Sequence, residues 1–142
     1  MTTTPDTPDT YVLPLPYTSP PLHANQRWRH WAQEAAVKRS VRRDAHLLAR
    51  SGKLPRGCQF ATITLHWAPT LRRERDAHNL YPLVKALIDG LTRGTKKSPG
   101  YGLTPDDSTR YVSAPEPVIH EPGTAPRQHT LWLEITVEGA PQ

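Results

Sequence analysis

Cysteine occurs once in this chain of 142 residues, at Cys58. A single thiol excludes an intrachain disulfide and a thiolate zinc cluster. Long apolar runs are missing as well; none approaches the ~20 residues needed to span a bilayer. The opening MTTTPDTPDT has neither the basic nor the apolar region of a secretory signal, so a cytoplasmic protein is expected. Hydrophobic residues are scarce at 36%, whereas prolines number 16. Much of the chain is therefore loop or tail, and the core has to come from a few strongly patterned segments. Acids are outnumbered, 13 against 18 Lys and Arg, for a formal charge of +5. Such a surface attracts polyanions, nucleic acid foremost, but charge by itself says nothing of catalysis.

Residues 1–10 repeat Thr-Pro-Asp and offer nothing to bury, which predicts a disordered tail ahead of one domain over 11–139. In YVLPLPY, Val12, Leu13 and Leu15 suggest a strand that Pro14 and Pro16 confine to a sheet edge. From about Asn25 to Arg50 the composition is helical, with Gly52 as a stop. Arg39, Arg43, His46 and Arg50 recur three and four apart on one face, with Arg42 and Lys38 beside them. A charge run is usually a solvated face; the near absence of acids in this one favours phosphate contact. CQFATITLHWAP and HTLWLEITVE alternate as strands do, the second placing Leu131, Leu133, Ile135 and Val137 on one side. RYVSAPEPVIHEPGTAP is a weaker strand broken by prolines. The expected fold is α/β (α+β), a small mixed or antiparallel sheet with one face covered by helices.

The most regular helical pattern is Leu80, Leu83, Val84, Leu87, Ile88 and Leu91, with Asn79 as N-cap, Pro82 in the first turn and Gly94 able to end it. Its other face carries Tyr81, Lys85 and Asp89 four apart, so Lys85 and Asp89 also read as a simple helix ion pair. If residues 75–79 are extended, Asp76 and His78 project from one side, just before a helix N-terminus that favours anions. His78 reads equally as a ligand, a general base or a polar filler. Asp106-Asp107-Ser108, after a glycine-containing loop, is a turn or a second source of carboxylate for a hard cation. The other six histidines show no paired ligand spacing. The tryptophans read as core, with stacking of Trp28 or Trp31 on an unpaired base as the alternative.

RRERDAHNL, then KALIDGL, then a glycine-containing loop and DDS resembles the RusA family of Holliday junction resolvases, small endonucleases often encoded by phages or prophages. The resemblance is strongest from Arg72 to Asp107 and extends loosely to LPLPYTSPPLHANQRWRHW. It implies a homodimer that binds four-way DNA junctions in a bacterial host and cuts two strands symmetrically with Mg²⁺ or Mn²⁺. Carried over residue by residue, it implies Asp76, Lys85 and Asp107 as catalytic, with Asp76 and Asp107 holding the metal. His78 stands where the family has its second aspartate; as a ligand it shifts the preference toward Mn²⁺. Lys85 is displaced from its usual spacing by three residues, close to one ~3.6-residue turn, so its facing is kept. Arg39, Arg42, Arg43, Arg72, Arg73 and Arg75 are the expected DNA contacts. The alternative is a non-catalytic junction-binding or DNA-binding protein on the same fold, its metal site degraded at His78.

Overall fold

The computed structural model describes residues 9–70, 75–93, 96–97, 99–124 and 130–140. Two long strands, β2 (Phe60–Trp67) and β5 (Leu131–Glu138), form the antiparallel centre of a five-stranded mixed sheet. Their alternation does the sorting. Ala61, Ile63 and Leu65 pair across with Val137, Ile135 and Leu133, and all six are buried on one face. Thr62, Thr64 and His66 take the other face, opposite Thr136, Glu134 and Trp132. β1 (Asp9–Pro14) lies at the edge, antiparallel to β5, where Pro14 has no further strand to serve. On the far side two short strands, β3 (Val112–Ser113) and β4 (Val118–Ile119), pair parallel with β2. This is the mixed α+β architecture that the sequence predicts.

Strand β1 begins inside the expected tail, because Asp9 and Thr10 are in register with Val137 and Thr136. Residues 1–8, the rest of that tail, lie outside the described residues, as do Arg72, Arg73 and Gly94. Helix α1 (Trp31–Ser51) also starts later than expected. The stretch ahead of it spends its backbone hydrogen bonds elsewhere: Ala24 N–H donates to the Asn79 carbonyl and Gln26 N–H to that of His23. A backbone committed in this way cannot enter the i to i−4 ladder.

Helix α2 (Tyr81–Leu91) buries Leu83, Val84, Ala86, Leu87, Ile88, Gly90 and Leu91. Only Tyr81 and Lys85 are exposed, with Asp89 half-buried, so these three form the helix's single polar ridge. Its apolar sides join Val41, Ala45 and Ala49 of α1 and the inner sheet face in one continuous core. The helices cross at Gly90. A Cβ there would sit 2.2 Å from the Arg42 carbonyl oxygen and 2.9 Å from Ala45 Cβ. Replacing Gly90 with alanine is therefore expected to cost about 1–3 kcal/mol through overpacking, despite alanine's better helix propensity. A lowered urea midpoint with unchanged slope is the readout.

After α2 the chain folds back over the helix end. Tyr101 N–H donates to the Gly90 carbonyl, and the N–H groups of Gly102 and Leu103 to that of Leu91. Carbonyls that every helix C-terminus leaves unpaired are satisfied here by a loop. Gly102 makes the reversal with φ of 92°. No helix among the described residues is long and apolar enough to cross a membrane.

Candidate active site

The backfolded loop delivers Asp107 to the polar ridge of α2. Thr104 is fully buried; its hydroxyl donates to the Asp106 carbonyl at 2.7 Å, while Asp107 N–H donates to Asp106 Oδ1 at 2.8 Å. With the turn so fixed, Asp107 lines the same cavity as Asp89, close enough for its negative charge to act on the Asp89 carboxyl. Two neighbouring carboxyl groups cannot both ionise cheaply. Burial first, and then Asp107, hold the Asp89 carboxyl above its usual range, outweighing the attraction of Lys85 and Arg42. Asp89, Asp107, Lys85, Arg42 and His78 line one cavity of about 810 Å³.

Asp76 is placed differently from its expected role. A 3₁₀ turn, Ala77–Leu80, replaces the extended segment predicted over 75–79, and Asp76 rather than Asn79 caps it. Asp76 Oδ1 accepts from His78 N–H at 2.9 Å, as a short acid before a helical turn does well. The turn abolishes the alternation that was to set Asp76 and His78 side by side. Asp76 and Asn79 line an adjoining cleft of about 1270 Å³ with Arg75, whose guanidinium lies 4.8 Å from the Trp67 ring centroid. His78 stays on the first cavity, its ring 5.3 Å from that of Tyr81 and its Nε2 3.5 Å from Glu116 Oε1. The partner that Asp107 meets is thus Asp89, a residue whose spacing from Lys85 gives an ordinary reason for its presence. Among the described residues, no three of the histidines, cysteines and acids are grouped around one metal position.

Arg42 connects this cavity to a second groove. Its side chain lines both, and its Nε is buried with no hydrogen-bond partner. The second groove, about 480 Å³, is walled by Arg39, Arg43, His46 and Arg50, and none of its lining residues is acidic. The arginine stripe read along the sequence is here a concave surface. His46 holds the groove's far wall, its Nδ1–H donating to the Pro99 carbonyl at 3.2 Å.

No protein-family model matches this chain, and no curated protein matches it. The geometry alone therefore ranks the candidates. The two carboxyl groups and the exposed Lys85 line one cavity, which Arg42 joins to the acid-free groove. A second cluster has no local signature in the sequence. His66 Nδ1 and His120 Nε2 lie 2.8 Å apart on the open sheet face, stacked on Trp132. Fifty-four positions separate them, and only the parallel pairing of β4 with β2 brings them together. Burial lowers the His66 pKa, and its Nε2 faces Glu134 at 3.6 Å. The two ring nitrogens of His66 point to different partners, so the cluster does not converge on one ion.

Proposed function

We propose that this protein is a metal-dependent endodeoxyribonuclease that hydrolyses phosphodiesters in branched DNA such as a four-way junction. The Asp89–Asp107 pair, next to Lys85 and at the end of the arginine groove, carries this reading. Two carboxylates suit Mg²⁺ or Mn²⁺, which take one or two protein carboxylates and fill their remaining positions with water and substrate phosphate. The repulsion that helps raise the Asp89 pKa marks a place where a cation would be favoured. Asp76, capping its turn in the adjoining cleft, stands apart from this pair. When bound, the ion supplies Lewis-acid neutralisation of phosphoryl charge and a more acidic water.

The chain's own groups do the rest. Arg39 and Arg43 hold the phosphate backbone along the groove, and Arg42 passes it to the cavity, where a phosphate oxygen satisfies its unpartnered Nε. Lys85, exposed on the same ridge, faces the negative charge that grows as water adds to phosphorus and one ester oxygen leaves. The substrate's two-fold symmetry requires two copies of this site, hence a homodimer. Action on a junction in the cytoplasm of a bacterial host belongs to the same proposal.

Incubating a labelled synthetic four-way junction with the protein and graded Mg²⁺ or Mn²⁺ tests the reading. Metal-dependent nicking is expected, faster in Mn²⁺ because His78 adds an imidazole. Equal or better cutting in Mg²⁺ removes His78 from the ligand set. A second reading, a junction-binding protein without catalysis, is favoured by the capping bond on Asp76 and by the Glu116 contact of His78. Salt-sensitive junction binding with no cutting in any metal decides for it.

A further inference from the structure

Trp31 is the most exposed large hydrophobic residue described, at 83%, whereas Trp28 packs against the core. A single exposed apolar side chain needs no explanation on its own. Its setting gives it one. Trp31 opens α1 directly after Arg27, Arg29 and His30, all exposed. It also shares a helix stripe with Glu34, Lys38 and Arg42, offsets of three, seven and eleven residues that fall within one side of a 3.6-residue period. Those three line the cavity of the Asp89–Asp107 pair. Trp31 therefore stands at the outer end of the active-site wall, about 10 Å along the axis from Lys38. Lys38 is neutralised by Glu34 at 3.0 Å, so this end of the wall offers a flat ring framed by arginines, not a further cation.

We infer that Trp31 stacks on an unpaired base at the branch point, holding the strand whose phosphate enters the cavity. Planarity and flanking positive charge suit a nucleobase with its backbone. A duplex presents no open base face and gives Trp31 no partner. The inference rests on the nuclease reading and assigns a specificity-determining contact within it.

Measuring affinity of wild type, Trp31→Ala and Trp31→Phe for a four-way junction and for a linear duplex of the same sequence, in Ca²⁺ to withhold cutting, tests it. One stacked base is worth roughly 1–3 kcal/mol, so Trp31→Ala should weaken junction binding about five- to a hundredfold. Duplex binding should be unchanged, and Trp31→Phe should recover most of the loss. A 2-aminopurine at the branch should be quenched by wild type and not by Trp31→Ala. Equal junction affinity of wild type and Trp31→Ala overturns the inference while leaving the nuclease reading intact, as does an equal loss on junction and duplex. A variant that changes sedimentation instead of base quenching assigns Trp31 to a contact between copies, which also overturns it. Wild type that binds neither DNA at low salt ends both readings.

Discussion

Asp107→Asn is expected to lower junction nicking on the order of a hundredfold or more, with junction affinity retained or improved. Asparagine keeps the shape and removes the charge, and Asp107 is exposed, so the fold has little reason to respond. Binding survives because the arginine groove is untouched, and one negative charge fewer lies near the phosphate. A variant with unchanged rate removes Asp107 from the chemistry. Asp76→Asn is the informative companion. Asparagine caps a helical turn as well as aspartate does, so a fall in rate at unchanged stability reports ligation by Asp76 and not loss of its cap.

Asp89→Asn is expected to change the pH dependence of stability in a defined direction. The folded pKa of Asp89 is raised above its ordinary 3.8. Below the ordinary value Asp89 is protonated whether folded or not, and its contribution to stability is complete. As pH rises through the higher folded value, the group ionises against Asp107 in a half-buried site and that contribution is lost. Wild type should therefore lose stability relative to Asp89→Asn as pH rises above 3.8, with the variant the more stable once Asp89 is ionised in the folded protein. Urea unfolding of both proteins across that range is the measurement. Curves that stay parallel, or that diverge with wild type gaining, contradict the coupling of the two carboxyls.

The sheet was legible because its signal is local. Leu131, Leu133, Ile135 and Val137 repeat at period two, and β5 buries those four. Helix α2 was legible for the same reason, its apolar positions closing a nearly complete circle around Lys85. What escaped was set by contacts distant in sequence. Asp89 had a sufficient local reason, its i, i+4 relation to Lys85, and nothing in the chain told that the loop after Gly102 would fold Asp107 onto it. Residues 77–80 form a 3₁₀ turn and not an extended segment because Asp76, a strong cap, starts a helical turn three residues earlier than Asn79 would. His66 and His120 needed a strand pairing that two-residue β4 scarcely announces. The arginine stripe was read as a face, but its concavity depends on Pro99 and Gly90 from other segments.

A cation held between Asp89 and Asp107 is what the proposed chemistry requires above all. Its most direct test is the thermal unfolding midpoint of wild type, Asp89→Asn and Asp107→Asn at pH 7 as Mn²⁺ is titrated. A ligand that binds only the folded state raises that midpoint by mass action. Wild type should show a rise that both variants largely lose. An equal rise in all three proteins, or none in wild type, contradicts that cation site.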